Sequence, residues 1–227
     1  MEIPSEIILT LKRLRSECGL ALASWAFFEV ANGYPHGEAQ AKLRDAVNAA
    51  HEATGFRYLL ETCAKDAVLT ISRIIDESSG AGKKDRASLK RIYEFVNRPE
   101  NADALPVLAR KWTPGIGEDR NEELTRTCIE RLRIRLSGRQ KAARNIGHIK
   151  AAIDDIRNYH LAHALNADPA RLPQIREIRD GIVLSVCATK DASFAIEGLN
   201  WDSKGTWQRS LVKAKVFWDR YERGFRA

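Results

Sequence analysis

The sequence predicts an all-α protein, a bundle of roughly six to eight helices. Apolar residues recur at spacings of three and four along most of the 227 residues, which is the period of an amphipathic helix. No stretch of useful length alternates with the period of two that is typical of a strand. Segments rich in glycine, proline and small polar residues separate the periodic stretches. We expect a single domain over residues 1–227, with an irregular insertion around residues 97–118.

The first half of the chain contains two long apolar stripes. The first stripe stops before the loop signal NGYPHG and comprises Ile7, Leu11, Leu14, Cys18, Leu22, Trp25 and Phe28. A shorter helix is expected at about residues 37–50. The second long stripe stops at SSGAGKKD and comprises Phe56, Leu60, Cys63, Ala67, Ile71 and Ile74. Ser88 is then an N-cap residue for a short helix that carries Leu89, Ile92, Tyr93 and Val96.

The second half begins with the insertion, where breakers predict a stretch that is irregular or only briefly helical: Pro99, Pro106, Pro114, Gly115 and Gly117. From about Glu118 the helical pattern resumes and continues, with a bend near residues 137–138, to about Asn166. After ADPARLP another helix is expected despite Gly181, on the pattern Ile175, Ile178, Ile182, Val186 and Phe194. The loop EGLNWDSKGT precedes a final, aromatic-rich helix from about Trp207 to Tyr221.

Positive charge is concentrated in one window of the chain. The net charge is +7, and residues 126–150 hold one acid, Glu130, and eight basic residues: Arg126, Arg131, Arg133, Arg135, Arg139, Lys141, Arg144 and Lys150. Such a block favours an anionic partner, nucleic acid first. A solvated helix face is the alternative interpretation of the same window.

The chain shows no sign of export or of insertion into a membrane. No apolar run approaches the ~18 residues that a membrane-spanning helix needs, and the N-terminus lacks the pattern of a signal peptide. The cysteines form no CxxC pair and are expected to be reduced core residues: Cys18, Cys63, Cys128 and Cys187. We therefore expect a cytoplasmic protein.

A cluster of polar residues lies late in the predicted helix IKAAIDDIRNYHLAHAL. At ~100° per residue, Ile149, Ile153 and Ile156 define one apolar face, and His160 and His163 continue that face. Arg157 lies on its edge. A buried arginine is costly without a partner, so we expect Arg157 to meet an anion or a hydrogen-bond acceptor.

Two other interpretations of the histidines remain open. A histidine within an apolar stripe is often a hydrogen-bonded core residue. His160 and His163 at i and i+3 would also allow a shared metal, but no acid or cysteine stands in the same arc nearby, because Asp154 and Asp155 lie on the opposite side. We therefore expect no metal and no cofactor.

The segment RNYHLAH resembles the motif of the HEPN superfamily (higher eukaryotes and prokaryotes nucleotide-binding). That motif has an arginine, a polar residue directly after it, and a histidine after four to six intervening residues. Here these residues are Arg157, Asn158 and, after five residues, His163. The stretch RDAVNAAH, from Arg44 to His51, is a second match to the bare pattern, but it is less regular in its helical context.

A second region resembles the abortive-infection-U branch of the superfamily. There an SR-x-x-D helix end precedes a polar loop and a short helix that begins with Ser-Leu. The corresponding residues here are Ser72, Arg73, Asp76, Ser88 and Leu89. The chain departs from the branch after the arginine, where Asn158 and Tyr159 replace an acidic and a basic residue. It also has Leu165 where another branch carries a tyrosine that is nucleotidylated, so that regulation is not implied.

The resemblance implies an HEPN-like helical bundle that forms a homodimer about the motif helix and cuts RNA without a metal. Its catalytic residues would be Arg157, Asn158 and His163, with His160 in support, and RNA would be held by Arg131, Arg135, Arg139, Lys141 and Arg144. The setting would be phage defence or a toxin system, with an antitoxin or another defence protein as a partner. A catalytically silent HEPN-like dimer that binds RNA or a partner, and a plain helical dimerisation module, are the competing hypotheses.

Overall fold

The computed structural model describes residues 2–33, 53–75, 87–112, 117–137, 146–147, 149–151, 153 and 174–225. Over these ranges the chain is helical apart from short turns and connections, without any strand. The prediction of an all-α fold is therefore confirmed. The helix expected at residues 37–50 lies outside the described residues.

Seven helices account for most of the described ranges. In chain order they are α1 (Ser5–Ala31), α2 (Ala53–Ile75), α3 (Leu89–Asn97), α4 (Pro99–Ala109), α5 (Glu118–Leu136), α6 (Ile175–Glu197) and α7 (Ser203–Phe225). The described residues within 146–153 are also helical. The apolar stripe predicted for α1 is buried from Ile7 to Trp25, while Phe28 is half-buried.

The ends of several helices follow from local sequence. Ser88 caps α3 as predicted, with extended backbone (φ −136°, ψ 153°), and its side chain accepts a hydrogen bond from the Arg91 backbone N–H at 3.4 Å. A reciprocal capping box between Gln174 and Glu177 begins α6.

Gly198 ends α6 in the left-handed conformation at φ 67°. An added Cβ there would lie 2.8 Å from the Trp112 ring, so this position is confined to glycine.

The segment at residues 97–118, expected to be irregular or only briefly helical, contains the helix α4 at Pro99–Ala109. Pro99 lies at the start of this helix, where a missing N–H costs nothing and a fixed φ is favourable. Leu105 and Ala109 are fully buried. Burial of this face offsets the hydrogen bond that Pro106 removes inside the helix.

The chain divides into two compact units. Unit 1 comprises Met1–Cys18 and Ile71–Trp201, and unit 2 comprises Gly19–Thr70 and Asp202–Ala227. In unit 1, fully buried aliphatic residues fill the centre: Leu11, Leu14, Ile71, Ile92, Leu105, Leu132, Ile149 and Ile196. In unit 2, the core is a cluster of Ala26, Val30, Ala31, Phe56, Ala214 and Trp218. A single domain over residues 1–227 stays a prediction.

Membrane insertion was not expected. Among the helices that the structure describes, none combines the length and the apolar character needed to cross a bilayer.

Candidate functional site

Most of the predicted site residues fall in the undescribed part of the chain. Arg157, Asn158, His160 and His163 lie outside the described residues, as do the predicted RNA-binding residues Arg139, Lys141 and Arg144. The second motif match, with Arg44 and His51, also lies outside them. The structure does place the helical residues that precede the motif and the predicted RNA-binding residues Arg131 and Arg135.

The residues that precede the motif bury one helical face. Ile146, Ile149 and Ile153 are 6%, 0% and 2% exposed, whereas Gly147 and Ala151 between them are exposed. Spacings of three and four place the three isoleucines on one side of a helix. Two of these isoleucines, Ile149 and Ile153, belong to the face that the helical wheel predicts as apolar.

Gly181 of α6 is the point against which this face packs. An added Cβ on Gly181 would lie 3.1 Å from Cγ2 of Ile149, 3.2 Å from Cδ1 of Ile153 and 3.4 Å from Cγ2 of Ile71 in α2. These separations leave little room for a methyl group. A glycine inside a helix costs roughly 0.5–1 kcal/mol relative to alanine, and here it allows three isoleucines from two other segments to approach the α6 backbone.

Arg135 of α5 forms an ion pair with Asp191 of α6. Asp191 is only 8% exposed, so its carboxylate needs a cationic partner. The guanidinium of Arg135 is therefore committed to joining two helices of unit 1. This contact was not foreseen from the sequence, where Arg135 is one of eight basic residues in a window.

Arg131 is placed differently. Its side chain is exposed, and among the described residues it forms no ion pair, whereas its neighbours on α5 are engaged: Arg126 with Glu122 at 2.8 Å, and Arg133 with the Asn97 side chain at 2.8 Å. Of the two predicted RNA-binding residues that the structure describes, Arg131 is thus the one available to an external anion.

Lys190 of α6 joins Arg131 near Cys128. Burial raises the pKa of the Cys128 thiol, and the positive charges of Arg131, Arg135 and Lys190 act in the opposite direction. Three cations from two helices therefore act electrostatically on one thiol. Lys190 is exposed and, within the described residues, has no acidic partner. An isolated lysine in VLSVCATKDASF gives no sequence signal, because its basic neighbours come from α5.

The four cysteines are free. Cys18 and Cys128 are buried, as the sequence predicts, whereas Cys63 and Cys187 are half-buried. Burial raises the pKa of the Cys18 thiol to about 12. Its sulfur lies 3.4 Å from the Thr189 hydroxyl. In the described ranges, histidine, cysteine and acidic side chains form no group of three that would suit a metal ion.

Comparison with known proteins gives one match, to a protein family. No curated protein and no solved structure matches the chain significantly. The family model HEPN_AbiU2, described as AbiU2, matches residues 5–178. This range is about three quarters of the chain, and it includes residues 157–163 but ends before α7. The chain therefore belongs to the HEPN AbiU2 family, an abortive-infection branch of the HEPN superfamily.

Proposed function

We propose that this protein is a metal-independent HEPN-type endoribonuclease that acts in the cytoplasm, in phage defence or as a toxin. The observation that carries the proposal is the family match, because residues 5–178 include Arg157, Asn158 and His163 at the spacing of the superfamily motif. Family membership supports the defence setting, and the resemblance of RNYHLAH to the superfamily motif supports the cleavage activity.

The burial of Ile149 and Ile153 supports the proposed placement of the histidines. His160 follows Ile153 by seven residues, which is nearly two full helical turns. On the helical wheel of the sequence, His160 and His163 continue the arc of these two isoleucines, which pack against Gly181 of α6, and Arg157 falls at the edge of that arc.

The proposed reaction is a transesterification within RNA. His163 takes the proton of a ribose 2′-hydroxyl, and the 2′-oxygen attacks the adjacent phosphorus atom. The bond from phosphorus to the 5′-oxygen of the next nucleotide breaks, that oxygen takes up a proton from water, and His163 returns its own proton to the solvent. The products are a 2′,3′-cyclic phosphate and a 5′-hydroxyl. An imidazole with an ordinary pKa of about 6.5 suits the role of base near neutral pH.

Arg157 is proposed to stabilise the transition state. Negative charge builds on the phosphate oxygens during the attack, and a guanidinium meets two of them through parallel hydrogen bonds. Asn158 would orient the phosphate or the arginine, and His160 would support His163. A homodimer formed about this helix would bring two copies of the motif into one cleft, and an antitoxin or another defence protein could regulate it.

Arg131 and Lys190 are proposed to hold the RNA backbone, together with Arg139, Lys141 and Arg144. Phosphate contacts of this kind give affinity without reading the base sequence. Arg135 is left out of this surface, because it is paired with Asp191.

The decisive experiment is to incubate the purified protein with total RNA in the presence of EDTA. We expect cleavage that resists EDTA, yields 2′,3′-cyclic phosphate ends and disappears in Arg157→Ala. The matched control is Arg44→Ala, which removes the arginine of the second motif match. Activity that EDTA abolishes and a divalent cation restores would contradict the mechanism. RNA binding without cleavage would instead identify a catalytically silent HEPN-like protein.

A further inference from the structure

We propose that the exposed face of α7 is a second RNA-binding surface, which holds the phosphate backbone of a single strand. This surface, the α7 basic stripe, consists of Lys213, Val216, Arg220 and Arg223. The proposal rests on RNA being the substrate, but it concerns residues in unit 2 that lie outside the range matched by the family.

The stripe follows from helical geometry. Its members are separated by three, four and three residues, so they lie within about 80° of one another on the helix at ~100° per residue. All four side chains are exposed. Arg209 extends the row toward the start of α7, although it also contacts Asp202 at 3.4 Å. From Arg209 to Arg223 the row is about 21 Å long at ~1.5 Å per residue.

The acidic side chains that the structure describes in unit 2 have partners other than the cations of the stripe. Glu29 accepts from the Trp25 indole at 2.8 Å, Asp66 from the Ser24 hydroxyl, and Glu61 pairs with Lys65 at 3.4 Å. On α7 itself, Asp219 pairs with Lys215 at 3.0 Å. Asp202 accepts from the Gly205 backbone N–H at 2.8 Å.

The three cations of the stripe are therefore left for an external anion. Within the described side chains, Lys213, Arg220 and Arg223 form no ion pair. Their positive charge complements a partner that presents a row of negative charges, as a nucleic-acid backbone does.

The opposite face of α7 fixes the direction in which the stripe points. Trp218 is 2% exposed, and its indole N–H donates to the Phe27 backbone carbonyl at 2.9 Å. Its ring meets Phe56 edge-on at a centroid distance of 5.1 Å. Ala214 is fully buried beside them. These contacts hold the helix against rotation, so the cations are presented as a fixed row.

The composition of the exposed face favours nucleic acid over a lipid surface. A helix that lies in a membrane needs large apolar side chains on the side that enters the lipid. On α7, Trp207 and Leu211 are half-buried against the core of unit 2, and Trp218 is buried in it. The exposed apolar side chains of α7 among the described residues are Val212, Val216 and Phe217, and the Phe217 ring also packs against Phe27 at a centroid distance of 5.3 Å. Two valines and one partly packed ring offer a bilayer little apolar area, whereas the cations offer phosphate contacts.

The test is a binding measurement with a charge-reversal variant. The stripe variant carries Lys213→Glu, Arg220→Glu and Arg223→Glu. The control variant carries the same change of charge at three exposed positions of unit 1, Lys12→Glu, Lys111→Glu and Arg120→Glu. The probe is a fluorescent single-stranded 2′-O-methyl RNA, which has no free 2′-hydroxyl and so is not cleaved. Circular dichroism confirms that each variant is folded.

We expect the stripe variant to bind the probe at least about tenfold more weakly than the control variant. Each phosphate contact to a single strand contributes ~0.7 to the magnitude of the slope of the log binding constant against the log salt concentration. Loss of three contacts should therefore reduce the magnitude of that slope by about 2. Equal affinities of the two variants for the probe would contradict the proposal of a binding surface on α7. Binding of wild type to anionic vesicles but not to the RNA probe would also overturn it.

Failure of this surface and failure of the nuclease proposal give different results. Arg157→Ala should bind the probe like wild type while losing cleavage of ordinary RNA. If the stripe variant binds the probe with normal affinity, the proposed surface is wrong, even where cleavage is intact. If wild-type protein binds RNA through the stripe but never cleaves it, the surface is supported and the nuclease proposal is wrong.

Discussion

Gly181 and Ile153 lie so close that a Cβ on the glycine would be 3.2 Å from Cδ1 of the isoleucine. This contact joins α6 to the helical segment that leads into the motif, with Ile149 beside it at 3.1 Å. The close packing of Ile149 and Ile153 against α6 thus depends on the absence of a side chain at position 181. The contact provides a way to disturb the proposed site without touching any proposed catalytic residue.

Substitution of Gly181 by alanine should lower both stability and activity. The added methyl group meets three isoleucines at 3.1–3.4 Å, and overpacking of this kind costs about 1–3 kcal/mol. That cost exceeds the gain of about 0.5–1 kcal/mol from replacing a helical glycine. Urea denaturation should give a lower free energy of unfolding, and RNA cleavage should fall with it.

The matched control is Gly19→Ala within α1, where an added Cβ meets no atom within 4 Å. At Gly19 the replacement of a helical glycine by alanine carries no steric cost, so the free energy of unfolding should rise by about 0.5–1 kcal/mol. If both alanine variants are stabilised equally, the packing at Gly181 is looser than the distances indicate.

Arg131 and Arg135 should respond in opposite ways to replacement by glutamine. Arg135→Gln leaves the buried carboxylate of Asp191 without its cation, so the free energy of unfolding should fall by about 1–3 kcal/mol. Arg131→Gln should leave stability within about 0.5 kcal/mol of wild type and weaken RNA binding. Denaturation and anisotropy on both variants measure the difference. If Arg135→Gln is as stable as wild type but binds RNA more weakly, Arg135 belongs to the RNA-binding surface.

Much of this fold follows directly from periodicity. The stripe of Ile7, Leu11 and Leu14 is buried, and Ser88 caps α3. The exception, α4, shows the limit of reasoning from breakers. As a breaker, Pro99 predicts a stretch that is irregular or only briefly helical, yet a proline in the first turn favours a helix. What decided the outcome was the burial of Leu105, which depends on neighbours distant in the sequence.

The site was less accessible to prediction than the fold. Motif spacing selects residues 157–163, and the family match includes them. The charge pattern does not distinguish Arg131 from Arg135, because the acid that pairs with Arg135 is Asp191, 56 residues further along the chain. Lys190 likewise gives no sequence signal, because its basic neighbours belong to α5, which is distant in the sequence. Gly181 could be noted as unusual inside a helix, but its reason lies in three isoleucines that only the folded chain brings together.

The two motif histidines should differ in their importance. Spacing assigns His163 as the base, so His163→Ala and Arg157→Ala should each abolish cleavage and any cellular toxicity that depends on it, with the fold retained. His160→Ala should reduce activity by a smaller factor, or reduce stability if its ring belongs to the core. Cleavage of a labelled RNA, with thermal melting of each variant, distinguishes these results. An inactive His51→Ala beside a fully active His163→Ala would move the site to the second motif match.

The protein should be a homodimer in solution. The motif segment ends in HLAHAL, which is apolar nearly all round on a helical wheel, and such a surface needs a cover on both sides. Light scattering at micromolar concentration should give twice the 25.5 kDa chain mass. A stable monomer would rule out a cleft built from two copies of the motif, although each copy could still bind RNA.

Cys18 provides a chemical reporter of how firmly α1 is held. With a pKa of about 12, its thiol is deprotonated in only about one molecule in 10⁵ at pH 7, and the thiolate is the reactive form. While the Cys18 sulfur remains against Thr189, oxidants and alkylating reagents meet almost no Cys18 thiolate. Any labelling of Cys18 therefore records a transient departure of α1 from α6. Its rate would measure the frequency of that opening under conditions in which the protein stays folded on average.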